Sequence, residues 1–438
     1  MCSERSSQAQ LINRAEWLRK YRMENTKTLK EKYREFRKEP IKENVVVFES
    51  LWGRSYSCNP AALYEYMLEN HPEYEFVWFF NDTDTEIKGN AKKVERKSEE
   101  YYHYLATAKY FIYNANFPEN FVKREGQIIV QTMHGTPFKT FGLDVKDELP
   151  SDKERMRVVK RSMIWDYLAA QGRFTKDMAW RWFRYDNAVL ETGYPRTDAL
   201  FRKDEKAASE VRSRLGIPED KKVLLYAPTW RDMDRFDMML DIEQLRAELA
   251  DEYVLLIRPH YFVAGFYDVP EDGSFVFDGG RVDKVEDLFP ITDILITDYS
   301  SVMFDFALTG KPMIFYTYDL KTYTVDTRGG YFDITTEAPG AIAMDNGEVI
   351  DAVKNVADHY AAYGARIDGF RDKYLTYEEG TSSAKMYEEV FVKDSRKRSS
   401  VRRHDLMTAI GRVIPRRFYN KARNKMIMRR LADDSRRD

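Results

Sequence analysis

Short, almost wholly apolar runs alternate with longer helical stretches along this chain, and that alternation constrains its fold more than any other feature. The runs read as strands: VVVFES (45–50), EFVWFF (75–80), KYFIYNA (109–115), QIIVQT (127–132), YLAA (167–170) and AVLET (188–192). A second series follows: KKVLLYAP (221–228), YVLLIRP (253–259), SFVF (274–277), DILITD (293–298) and PMIFY (312–316). Continuous apolar runs, rather than alternating ones, are what a sheet covered on both faces requires. Helices are expected between them, at 60–71, 98–108, 238–250, 300–309 and 347–363. The polar stretch 193–210 separates the two series and reads as the boundary. Two β-α series imply two Rossmann-type, doubly wound α/β domains facing each other across a cleft.

The expected divisions are a basic helical extension over 1–43, a first domain over 44–200, a second over 201–395, and a basic tail over 396–438. Charge sharpens this division. Residues 1–42 carry a net +6 and residues 396–438 a net +11, leaving −19 on the body between them. Leu406, Met407, Ile410, Val413 and Ile414 fall near helical spacing among arginines, which predicts amphipathic helices on an anionic membrane surface. A tail packed on the acidic body is the alternative. No recognition motif for nucleic acid accompanies the charge. No apolar run is long enough for a membrane span, and the first residues lack the apolar core of a signal peptide. Cys2 and Cys58 form neither a disulfide framework nor a zinc site, which suits a reducing compartment.

Ligands of open parallel sheets bind beyond the carboxyl ends of the strands, so the chemistry is sought there. His134 follows QIIVQT, with Gly135 and Thr136 behind it; it reads as a general base or as a histidine bonded within its loop. Thr229 and Arg231 follow KKVLLYAP, as phosphate donors or, for Arg231 with Asp232, as a structural pair. Arg258 and His260 flank Pro259, a cation and an imidazole suited to a diphosphate. Asp298, Ser300 and Ser301 close DILITD and open an apolar helix carrying Asp305. The serines are either anion donors or a plain helix cap. Arg328 precedes Gly329 and Gly330, which allow close backbone approach to a ligand or form an ordinary turn. Together these put Arg, His, Ser and Thr at strand ends, chemistry for a phosphate-bearing substrate. No P-loop, dinucleotide fingerprint, metal-spaced cluster or nucleophile elbow is present.

In order and spacing, HGTPFKTFG (134–142), YAPTWRD (226–232), RPH (258–260), TDYSSVMFDFALTGKPMIFYTYD (297–319) and RGGYFD (328–333) resemble the CDP-glycerol glycerophosphotransferases, teichoic-acid primases and polymerases with CDP-ribitol-using relatives. The resemblance spans about 45–390. It implies a GT-B-like domain pair with CDP-glycerol or CDP-ribitol held mainly by the second domain. It also implies a lipid-linked teichoic acid or capsular acceptor, release of CMP and inversion at phosphorus. His134 is then the base, with Thr229, Arg258, His260, Ser300 and Ser301 around the diphosphate. No cofactor or metal is expected. The enzyme is expected in the cytoplasm, peripheral on the inner face of the bacterial membrane. An inverting nucleotide-sugar glycosyltransferase of the same architecture, or a non-catalytic scaffold, are the competing readings.

Overall fold

The computed structural model describes residues 28–145, 149, 151–202, 204–229, 238–259, 267–326, 329–394, 396 and 416–432. The first sheet contains β1 (Lys42–Glu49), β2 (Glu75–Phe80), β3 (Lys92–Glu95), β4 (Ala108–Tyr113), β5 (Ile128–Gln131), β6 (Tyr167–Ala169) and β7 (Ala188–Leu190). Its order is β3-β2-β1-β4-β5-β6-β7, parallel throughout. The second contains β8 (Lys222–Ala227), β9 (Tyr253–Ile257), β10 (Val276–Asp278), β11 (Ile294–Thr297), β12 (Met313–Tyr316) and β13 (Ala341–Ala343). Its order is β10-β9-β8-β11-β12-β13, again parallel. This is the GT-B-like pair of Rossmann-type domains expected from the sequence.

Side-chain alternation explains the continuous apolar runs. In the second sheet Val223, Leu225, Leu256 and Leu295 enter the core on one face. Leu224, Tyr226, Leu255 and Ile296 enter the core on the other. The central positions of such a strand are all buried, so none of them needs to be polar; polar residues stay at the ends, as Lys222 does on β8. In each sheet the strand order reverses once, between β1 and β4 and between β8 and β11. Loops leaving those neighbours diverge, which opens a crevice at the carboxyl ends.

The segment expected to stay with the second domain crosses back to the first. Met386 and Val390 join the first core, Tyr387 stacks on His71 at 3.5 Å, and Phe391 lies 4.4 Å from Tyr110. Tyr167 Oη donates to the Glu389 carbonyl at 3.3 Å. Aromatic surface left open on the first domain is thereby covered by the end of the second series.

The terminal extensions also dock. Tyr33 is buried in the first core, its hydroxyl accepting from Val122 N at 3.3 Å. The helix Arg416–Ala432 packs Ile427 and Leu431 against Leu143 and Val159 of the body. Arg184 Nε donates to the Arg430 carbonyl at 3.0 Å, satisfying an end carbonyl of that helix. The apolar positions 406, 407, 410, 413 and 414 lie outside the described residues. Among the described residues, no helix is long and apolar enough to cross a membrane.

Candidate active site

His134 stands just beyond the carboxyl end of β5, on a backbone bent sharply at both neighbours: Met133 has φ 56° and Gly135 φ 148°. Asn59 Nδ2 clamps this bend, donating to the carbonyls of Thr132 and Met133 at 2.8 and 3.1 Å. His134 Nδ1 lies 3.1 Å from the Asn114 carbonyl at the end of β4. A carbonyl only accepts, so Nδ1 carries the proton and the lone pair sits on Nε2. Part of the ring is open to the cleft, yet protein crowds it on the remaining sides. That desolvation pushes the imidazole pKa below its usual value; the Asn114 bond opposes the shift and the Arg196 charge adds to it. A neutral imidazole whose Nε2 lone pair is not used by the Asn114 bond is a competent general base.

Gly135 brings the two domains into contact. A Cβ there would lie 3.4 Å from Ser301 Oγ, a residue of the second domain. Ser301 is exposed and its side chain does not cap the helix that follows, although its carbonyl accepts from Phe304 N at 3.2 Å; Ser300 Oγ accepts weakly from Val302 N at 3.4 Å. Across the β8/β11 reversal, Thr229 N donates to Asp298 Oδ1 at 2.8 Å, so Asp298 ties the two diverging loops together. Thus His134, Gly135 and Ser301 meet at one point of the cleft, and Thr229, Asp298 and Ser300 form its second-domain wall.

Other expected residues are placed differently. Thr136 is fully buried; its hydroxyl donates to Gln171 Oε1 at 2.7 Å, and Gln171 Nε2 donates to Asp305 Oδ1 at 2.7 Å. Arg258 turns its guanidinium to the carbonyls of Gly279, at 2.7 Å, Val282, and Asp283, at 3.0 Å. It organises that loop, because the chain over 279–283 presents carbonyls that need donors. Of the glycine pair after Arg328, Gly330 makes its close approach to protein. A Cβ on Gly330 would sit 2.5 Å from Phe138 Cζ, and Tyr331 N donates to the Phe138 carbonyl at 2.9 Å. Phe138, from the first domain, is buried in the core of the second, 4.9 Å from Phe332. Arg231, His260 and Arg328 lie outside the described residues.

Arg196 was not singled out from the sequence, because Gly193–Pro195 made its neighbourhood read as a linker. It occupies the junction of the domains. Nη1 donates to the His134 carbonyl at 2.8 Å and to Cys58 Sγ at 3.1 Å. Nη2 donates to Asp305 Oδ2 at 2.5 Å, and Nε lies 3.1 Å from Glu286 Oε1. Burial raises the Glu286 pKa, and Arg196 opposes that shift. Beneath this cluster Glu378 accepts from Tyr194 N at 3.0 Å and from Thr197 Oγ1 at 2.6 Å. Burial pushes its pKa up to about 8. The one usable signal was position: Arg196 follows closely on β7, as His134 follows β5. Among the described residues, no group of three or more His, Cys, Asp or Glu is placed to hold a metal ion.

A family model described as CDP-Glycerol:Poly(glycerophosphate) glycerophosphotransferase matches residues 31–392. The chain is 38% identical over 381 residues to the teichoic acid poly(glycerol phosphate) polymerase of Bacillus subtilis strain 168, covering 84% of this chain and 51% of that protein. It is 36% identical over 365 residues to the teichoic acid glycerol-phosphate transferase of Staphylococcus aureus strain NCTC 8325, covering 80% and 93%. A solved variant of the wall teichoic acid polymerase TagF superposes with a TM-score of 0.76 at 34% identity, covering 81% of this chain and 89% of that one. The chain spans about half the length of the two poly(glycerol phosphate) polymerases from Bacillus subtilis and Staphylococcus epidermidis that it matches.

Proposed function

The chain belongs to the CDP-glycerol:poly(glycerophosphate) glycerophosphotransferase family, and we propose that it moves glycerol phosphate from CDP-glycerol to a hydroxyl of a lipid-linked teichoic acid acceptor. Glycerol is favoured over ribitol as the transferred polyol. The relatives named for glycerol phosphate reach 38% identity, against 30% for the poly(ribitol-phosphate) polymerase of Bacillus spizizenii.

In this reading His134 Nε2 takes the proton of the acceptor hydroxyl. The oxygen attacks the phosphorus that carries the polyol. A new O–P bond forms as the bond from that phosphorus to the CMP oxygen breaks, and CMP leaves. Charge grows on the transferring phosphoryl oxygens and on the leaving phosphate, so fixed donors lower the barrier most. Ser300, Ser301 and the Gly135 amide are the proposed donors among the described residues, with Arg231, His260 and Arg328 completing the set. Asp298, Asp305, Thr136 and Arg258 act as positioning residues, holding Thr229, Arg196, Gln171 and the 279–283 loop. The observation that carries the reading is the Nδ1 contact of His134 with the Asn114 carbonyl, beside Gly135 and Ser301.

A lipid-linked acceptor places the enzyme at the cytoplasmic face of the membrane. There the outward residues of the last helix, Lys421, Lys425, Met428 and Arg429, all exposed, face anionic lipid. The test is product analysis. The protein is incubated with CDP-glycerol or CDP-ribitol and a lipid-linked disaccharide analogue, and released nucleotide and product mass are followed. CMP and a product heavier by one glycerol phosphate support the reading. Turnover of a nucleotide sugar with release of a nucleoside diphosphate contradicts it.

A further inference from the structure

A second, unassigned site lies on the first domain. A pocket of about 310 Å³ opens between the helix Asp152–Ser162, the loop after β4 and the docked C-terminal helix. That volume lies within the usual range for a small-ligand site. Five cations line it: Lys153, Arg157, Lys160 and Arg161 from one helix face and Arg423 from the other helix. Glu119 is the one carboxylate in the lining, and it pairs with Arg157 Nε at 2.9 Å. Tyr113, Phe117, Phe121 and Trp165 form an aromatic floor, with Phe117 and Phe121 stacked at 4.5 Å.

This much like charge around a recess is unfavourable without an anion inside it. Lys160 and Arg161 are half-buried and form no salt bridge with any described residue. Burial, then the charges of Arg423 and Arg157, lower the Lys160 pKa, while Glu119 opposes the shift. Burial, then Arg157, does the same to Arg161, with Glu119 again opposing. Lys153, Arg157 and Lys160 succeed one another by about one helical turn, roughly 5–6 Å. A chain whose phosphates are separated by three-carbon bridges can match that spacing, and its carbon segments can lie over the aromatic floor. The recess is concave, and its cations share one lining with the aromatic rings. A membrane-facing patch would instead direct its cations outward.

We propose that this pocket binds the polyol-phosphate chain of the growing polymer, through its phosphodiesters, at a place apart from the reacting centre. The proposal rests on the reading of the reaction given above, because that reading makes the acceptor a phosphodiester polymer. Tyr113, at the pocket floor, is followed by Asn114, whose carbonyl holds His134. Chain held in the pocket is therefore tethered to the element that orients the base.

The test is titration of the full-length protein with a short, soluble 1,3-linked poly(glycerol phosphate), across a salt series. A Lys160→Ala/Arg161→Ala double variant is compared with wild type and with Lys160→Arg/Arg161→Lys. The alanine variant should bind the oligomer roughly tenfold more weakly, with a salt slope reduced by about two. The charge-keeping variant should bind as wild type does, which separates charge from folding. With CDP-glycerol and a single-unit acceptor, CMP release by the alanine variant should be unchanged, while its polymer products should be shorter. Equal binding by wild type and the alanine variant overturns the proposal. So does loss of binding only to phosphatidylglycerol vesicles. If no CDP-polyol is turned over, yet oligomer binding still requires Lys160 and Arg161, the pocket stands and the reaction assignment falls.

Discussion

Arg196 Nη2 donates to Asp305 Oδ2 at 2.5 Å, joining the end of the first strand series to the helix that begins at Ser301. The same guanidinium donates to the carbonyl of His134. One buried cation therefore fixes the relation between the proposed base and the serine wall of the proposed donor site. An arginine suits this position because a planar fork can serve several acceptors together.

Replacing Arg196 with alanine leaves Asp305 and Glu286 buried without their cation. Breaking such a pair costs about 3–5 kcal/mol. Thermal unfolding should show this loss for Arg196→Ala, and CMP release should fall with it. Arg196→Lys should recover part of the stability but little of the activity, since an ammonium cannot span both Asp305 and the His134 carbonyl. Wild-type kinetics in Arg196→Lys would argue against a positioning role.

With His134 as the proposed base, the pH dependence of turnover can be anticipated. Its pKa is held below the usual 6.5 of imidazole by the protein that crowds the ring on its closed sides. A base works only when unprotonated, so activity should persist to lower pH than an ordinary histidine permits. The acid limb of kcat/KM for CMP release should inflect below 6.5 and disappear from the residual rate of His134→Gln.

Glu378 makes stability depend on pH in the opposite way from an ion-paired carboxylate. Its folded pKa is raised from 4.5 to about 8. Between these values the folded state holds a proton that the unfolded state has released, so stability declines as pH rises through that window. Glu378→Gln keeps an acceptor for Tyr194 N and has no proton to lose. Denaturant unfolding should show the variant gaining on wild type from mildly acidic to mildly alkaline pH. A constant difference would contradict the assigned protonation.

Gly330 tests the contact between the two domains. An added methyl would meet the Phe138 ring at 2.5 Å, so Gly330→Ala should destabilise by about 1–3 kcal/mol. Combining it with Phe138→Leu should cost less than the sum of the two single changes. A double-mutant cycle on thermal unfolding measures that coupling.

The sequence was legible where burial acts on whole strands and opaque where a role depends on distant partners. The run around Leu224 and Leu225 announces a strand because both of its faces are covered. The edge strand β3 gave no such signal, since in Lys92–Glu95 only Val94 is buried. Likewise β13 is three residues of small and apolar side chains, Ala341–Ala343, flanked by Gly340 and Met344 without a longer apolar run to mark it. His134 and Ser301 were singled out because strand ends in parallel sheets face the crevice, and the structure places Gly135, next to His134, against Ser301. Thr136, two residues on, shares that vicinity, yet its side chain turns inward to Gln171. Arg258 stands at a strand end, but unsatisfied carbonyls at 279–283 claim its guanidinium. Arg196 was missed because its meaning lies in Asp305, far along the chain. The basic tail shows the limit of composition: charge asymmetry marked residues 416–432, but the docking of Ile427 and Leu431 against Val159 is a tertiary fact.

The most direct measurement is CMP release from CDP-glycerol by wild type and His134→Gln, with donor binding measured in parallel. Loss of a positioned general base lowers the rate by about 10²–10⁴-fold, and donor binding should stay near the wild-type level. A His134→Gln enzyme that turns over at the wild-type rate would contradict the assignment of His134 as the base.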